Sequence, residues 1–125
     1  NENDSISTEE ILNGDNDRLS GKVATLLNSR KLFILTDQNG LYDKDPDENP
    51  DAKLISKINL EKFDFKRVSF GNSGILGRGG MTTKIKAARD YLNKNNEVWI
   101  LNGNEKGIIE EVIQKKPLGT KIYLA

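Results

Sequence analysis

Two runs of four apolar residues, Leu32-Phe33-Ile34-Leu35 and Val98-Trp99-Ile100-Leu101, constrain this chain most. Neither alternates with polar residues. Each therefore reads as a strand covered on both faces, the pattern of a mainly parallel sheet with helices on either side. The segments between them fit that frame. Helical periodicity runs from about Asp17 to Asn28, where Leu19, Val23, Leu26 and Leu27 form an apolar stripe. It returns from Lys84 to about Asn95, where Ile85, Ala88 and Leu92 share one face. A short helix is expected from Ile108 to Lys115, with Pro117 just past its end. A last strand is expected from Lys121 to Leu124. Leu54-Ile55 reads as a resumed strand, and Ile58 to Phe70 has no assignable period. The order helix, strand, long loop, helix, strand, helix, strand is an α/β alternation within one domain. Phe33 and Trp99 lie inside apolar runs and read as core.

The chemistry open to the chain is narrow. There is no histidine and no cysteine among its 125 residues. The usual general base near neutral pH is missing, and so are thiolates and His- or Cys-ligated metals. Carboxylates, lysines, hydroxyls, backbone N–H groups and an oxygen-held Mg²⁺ remain. Nineteen basic residues balance nineteen acidic ones, which argues against a nucleic-acid partner. No apolar run approaches the roughly 20 residues of a membrane span.

One stretch points to an anion. Gly77-Arg78-Gly79-Gly80-Met81-Thr82-Thr83-Lys84 places glycines, hydroxyls and an amine directly before a helical segment. Glycines let backbone N–H groups approach a ligand, and a helix N-terminus favours negative charge. Phosphate is the natural guest, although the spacing is not that of GxxxxGK[ST]. The alternative is a plain Gly-rich loop capped by Thr82. Asp15, Asn16 and Asp17 suit either a helix N-cap or a polar site. Thr36-Asp37 ends the first apolar run, at the strand edge where open α/β sheets bind ligands. Gln38 to Lys53 is a turn-rich loop of either binding or purely solvated character.

Taken together, several pieces are more specific. They are Asn1-Glu2-Asn3-Asp4, Gly14-Asp15-Asn16-Asp17 with Leu19-Ser20, Leu35-Thr36-Asp37 with Gly40-Leu41-Tyr42 and Asp45-Pro46, Gly79-Gly80-Met81 with Thr83-Lys84, and Gly119-Thr120. In this order they resemble the second half of the amino-acid kinase fold. Within that family they are similar to the glutamate 5-kinases, which use ATP to phosphorylate the side-chain carboxylate of L-glutamate in proline biosynthesis. The resemblance implies a three-layer α/β sandwich. It also implies that residues 1–125 are the C-terminal, ATP-binding half of the kinase domain, without its N-terminal half and without the RNA-binding-like domain of many relatives. Asp4, Asn16 and Asp15 would hold glutamate. Asp17 would organise the catalytic lysines, and Lys84 would stabilise the transferring phosphoryl group. Thr36, Asp37, Tyr42 and Asp45 would contact the nucleotide, and Gly77, Arg78, Gly79, Gly80, Met81, Thr82 and Thr83 would wrap its phosphates. Arg78 stands where the family usually has a small residue. ATP with Mg²⁺ held mainly by the nucleotide, proline as feedback inhibitor, a dimer or tetramer and a cytoplasmic location follow from the same resemblance. Other family substrates (carbamate, aspartate, acetylglutamate, a nucleoside monophosphate) and a non-catalytic nucleotide-binding fragment are the competing readings.

Overall fold

The computed structural model describes residues 15–68 and 80–125. Three helices and four strands follow in the order α1 (Asp15–Leu26), β1 (Lys31–Thr36), β2 (Lys57–Asn59), α2 (Met81–Tyr91), β3 (Glu97–Asn102), α3 (Ile108–Ile113) and β4 (Thr120–Tyr123). The sheet order is β1-β3-β4-β2. β1 pairs β3 in parallel from Lys31↔Glu97 to Thr36↔Asn102, and β2 pairs β4 in parallel. β3 and β4 are antiparallel, so the sheet is mixed, with two parallel pairings joined by one antiparallel pairing.

The strand period of two sorts the core into two layers. Val98 and Ile100 of β3, with Leu32 and Ile34 of β1, meet Ala24 of α1 and Ile85, Ala87, Ala88, Tyr91 and Leu92 of α2. Leu101, with the half-buried Trp99 and Phe33, turns to the other side, against Ile108 and Val112 of α3. Helix, sheet and helix thus form three layers. Ile58, Val98, Ile100 and Ile122 are fully enclosed, and each contributes about 1.5–3 kcal/mol by burial.

Four expectations are corrected. The stripe on α1 does not face the core: Leu26 is 85% and Leu27 70% exposed, and Leu19 and Val23 are also exposed. α1 instead packs through small residues. At Gly21 an added Cβ would stand 3.4 Å from the Ala87 carbonyl and 3.7 Å from Tyr91 Cβ, ordinary contact distances that show how near α2 lies to the α1 backbone here. Second, Leu54 makes only an isolated bridge with Tyr42, and the strand begins at Lys57. Third, β1 is not covered throughout, since Leu35 is 48% exposed. Asp15, Asn16 and Asp17 form the first turn of α1 rather than its cap.

The excursion between β1 and β2 is tied down by one residue from the far end of the chain. The buried Thr120 hydroxyl accepts from Leu41 N at 2.8 Å and donates to Ile55 O at 2.6 Å. Ile55 N also donates to Leu41 O at 2.8 Å, closing the neck of the loop. Thr120→Val keeps the shape but strands a buried donor and acceptor. It should lower unfolding free energy by roughly 2–4 kcal/mol in urea titrations. A loss below about 0.5 kcal/mol would mean that the neck does not depend on this hydroxyl.

At the start of β3, Glu97 receives Trp99 Nε1 at 2.9 Å and Lys121 Nζ at 2.6 Å, with Lys31 Nζ at 3.5 Å. Burial pushes its carboxyl up, but the hydrogen bonds from Lys121 and Trp99 and the charges of Lys121 and Lys31 outweigh this and hold it below its ordinary value of 4.5. A lowered carboxyl stabilises the fold above the unfolded-state value, and that contribution disappears as pH falls through the folded-state value. The melting-temperature gap between the native chain and Glu97→Gln should therefore be widest near neutrality and shrink below about pH 4.5. A gap constant from pH 7 to 3 would contradict this. Burial, and then the charge of Glu97, push the Tyr91 phenol up, which keeps its hydroxyl a donor to Ser29 O at 2.6 Å.

Candidate functional site

α1 and α2 lie side by side and run the same way. Asp17 touches Thr83 and Lys84, Gly21 lies against Ala87 and Tyr91, and Tyr91 reaches Ser29. Partners thus advance together along both helices, and the two N-termini share one end. Residues 27–30 and 92–96 are short connections, so each helix runs back against the strand that follows it. Both N-termini therefore stand at the C-terminal edge of β1 and β3. These parallel strands end in register at Thr36 and Asn102. Gly103 N donates to Thr36 O at 2.8 Å, and Asn102 Nδ2 donates to Asn39 Oδ1 at 3.0 Å across that edge. Open α/β sheets bind ligands at such an edge, and two helix N-termini add a positive potential there.

The centre of the arrangement is an ion pair between the helices. Lys84 Nζ lies 3.2 Å from Asp17 Oδ2, and the two side chains are only 8% and 12% exposed. A lysine so enclosed needs a counter-charge, because desolvating an isolated ammonium costs several kcal/mol. The Thr83 hydroxyl is 3.1 Å from the same Asp17 oxygen and 2.7 Å from Gly80 O. Its single proton serves one acceptor at a time, and either bond holds it beside the pair. Gly80 is the N-cap of α2 and no side chain caps this helix. Thr83 N is taken by Gly80 O at 3.0 Å, while the N–H groups at the very start of a helix have no acceptor within it, so this end suits an anionic guest.

The other candidate residues are placed as follows. Asn16 lies beside Asp17 in the first turn of α1, as does the backbone of Asp15. Met81 and Thr82 open α2. At the strand edge the Thr36 hydroxyl donates to Asp37 Oδ1 at 3.2 Å. Tyr42 sits at the base of the excursion, opposite Leu54. Asp45 is engaged in a local turn: its Oδ1 accepts from Asp47 N at 2.9 Å and its carbonyl from Asn49. No described contact joins Tyr42 or Asp45 to Lys84. Asp4, Gly77, Arg78 and Gly79 lie outside the described residues. Sequence reasoning passed over Asn102 and Asn39, which bridge the two strand ends. The available signal was a polar residue closing the second apolar run, as Thr36-Asp37 closes the first.

The profile of the amino acid kinase family matches residues 1–102. The chain is 45% identical over 120 residues to a protein named glutamate 5-kinase from Shewanella pealeana, covering 96% of this chain and 32% of that protein. It is 42% identical over 121 residues to a glutamate 5-kinase from Pasteurella multocida, covering 97% and 33%. The chain thus spans about a third of the length of these curated relatives. Among solved structures, an isopentenyl phosphate kinase of T. acidophilum in a product complex is 28% identical with a TM-score of 0.58, over 85% of this chain and 38% of that one. A UMP kinase from Bacillus anthracis shares the fold at a TM-score of 0.62 and 23% identity, over 86% and 39%.

Proposed function

The chain belongs to the amino acid kinase family, and from that premise we propose that it is the nucleotide-binding half of an ATP-dependent kinase converting L-glutamate to L-glutamyl 5-phosphate, the first step of proline biosynthesis. The observation that carries this reading is the enclosed Asp17–Lys84 pair, set where two helix N-termini meet the C-terminal edge of a parallel strand pair. The similarity to proteins named glutamate 5-kinase supports the choice of acceptor.

A glutamate side-chain carboxylate, with a free pKa of about 4.3, is already ionised near neutrality. As nucleophile it needs no proton removed, so a chain without histidine is equipped for the reaction. The difficulty is repulsion between that anion and the phosphates of ATP. Phosphoryl transfer is catalysed chiefly by positioning and by offsetting charge. In this reading Lys84 supplies the positive charge and Asp17 fixes its direction. The first-turn N–H groups of α2 face the phosphates. Asn16 offers an amide to the amino acid without adding charge. Thr83 braces Asp17 in addition to any contact with phosphate. Thr36 and Asp37 lie on the nucleotide side of the edge. Mg²⁺ would be held chiefly by the nucleotide's own phosphates. Proline inhibition and assembly into a dimer or tetramer belong to the same reading, as does a cytoplasmic location; no helix among the described residues is long and apolar enough to cross a membrane.

The test is acyl-phosphate trapping with the complete enzyme. ATP, Mg²⁺, hydroxylamine and L-glutamate should yield a hydroxamate that depends on glutamate. Hydroxamate formed from another acid in its place, or phosphorylation of a monophosphate acceptor alone, would overturn the choice of substrate.

A further inference from the structure

A second concavity, of about 460 Å³, lies at the opposite edge of the sheet, where β1 and β3 begin and β4 ends. Its walls include Arg30 and Lys31 at the start of β1, Lys94 before β3, and Lys121 on β4. Glu97 is its one acid. Four positive charges against one negative leave a local surplus of three, in a chain whose charges cancel only when taken as a whole.

Two of these cations are held in place. A single carboxylate, Glu97, bridges Lys31 at 3.5 Å and Lys121 at 2.6 Å, and is itself anchored by Trp99 Nε1 at 2.9 Å. Lys121 Nζ also lies 5.8 Å from the Trp99 ring centre and 5.9 Å from that of Tyr123. The bridge sets two ammonium groups side by side but neutralises only one of them. Among the described residues, Arg30 and Lys94 make no ion pair. Four cations around one acid leave a positive potential in the cleft, which solvent and salt screen in part and a bound anion would lower further. An exposed guanidinium offers a planar fork of donors, and lysines add point charges. Together they match the oxygens of phosphate groups.

We propose that this cleft binds a compact polyphosphate anion, at a site separate from the Lys84 cradle and independent of the kinase reading. The patch is local and the chain carries no net charge, which favours a small ligand over a nucleic-acid strand. Binding should weaken as salt rises, since these side chains are solvated and the Debye length is about 8 Å at 0.15 M.

The natural reporter is Trp99, the single tryptophan of this sequence, lying beside Lys121. Titration of the native protein with inorganic pyrophosphate should produce a saturable change in Trp99 fluorescence, absent with sodium chloride at matched ionic strength. The double variant Arg30→Gln/Lys94→Gln removes two exposed, unpaired charges, so its melting temperature should stay unchanged while the pyrophosphate midpoint rises at least about tenfold. Lys84→Gln, at the other edge, should leave that midpoint where it was. No saturable response, a chloride response of equal size, an unmoved midpoint in the double variant, or a midpoint that follows Lys84 instead would each overturn the proposal.

Discussion

Lys84→Ala in the complete enzyme should lower kcat by about 10²–10³ while leaving glutamate affinity nearly intact, the scale seen when one preorganised charge-stabilising group is removed. The structural reason is that Lys84 cannot wander. Its side chain is 8% exposed, its amine lies 3.2 Å from Asp17, and Asp17 is braced by Thr83. A fixed ammonium loses little to reorganisation as charge develops on the transferring phosphoryl group. The same enclosure gives the variant a second effect. Alanine leaves Asp17 as a largely buried charge without its partner, which costs about 3–5 kcal/mol of stability. The two effects can be separated. Adding Asp17→Asn to Lys84→Ala removes the stranded charge and should recover most of the stability but none of the turnover. An unchanged kcat in folded Lys84→Ala would take this lysine out of the mechanism. Turnover that returned with stability in the double variant would reduce the lysine to a scaffold.

Gly119→Ala should destabilise the fold by about 3–5 kcal/mol, combining the cost of a left-handed non-glycine residue with that of overpacking. Gly119 has φ +70°, and an added Cβ would stand 2.5 Å from Ile100 O and 2.4 Å from Leu101 Cδ2. The leucine tip has some freedom to turn away. The carbonyl belongs to the centre of β3, where Ile100 is fully buried and opposite Thr120 in the antiparallel pairing. Moving it disturbs the join between the two parallel halves of the sheet. It also displaces Thr120, whose hydroxyl closes the neck of the excursion. The urea midpoint reads the effect directly, and a shift equivalent to less than about 1 kcal/mol would show that β3 yields easily at this point.

How far local pattern reaches is clear from the two long helices. On α2, Ile85, Ala88 and Leu92 share a face by period, and all three are buried, because that face joins the core cluster that also holds Leu32, Ile34, Val98, Ile100 and Ile122 of the sheet. On α1 the same reasoning selects Leu19, Val23, Leu26 and Leu27, and all four are exposed. The buried contacts are Gly21 and Ala24, since α1 meets a second helix closely and small residues allow the shortest approach. A period shows that a face is apolar but does not name the neighbour. β2 was missed for a related reason: three residues, Lys57–Asn59, are too few to show an alternation.

The amino-acid order by itself determined the α/β alternation, the positions of β1 and β3, the entry of α2 from a glycine, and a chemistry confined to carboxylates, amines, hydroxyls and amides. Each is a property of residue type or of spacing within a few turns, where covalent geometry sets which side chains share a face. Only the tertiary structure decided that Asp17 and Lys84, 67 positions apart, form one enclosed pair, and that Thr120 holds Leu41 across 79 positions. It also decided that four cations collect at the far edge of the sheet. Those contacts depend on strand order and helix direction, which burial of the whole core selects and which no short stretch of sequence encodes.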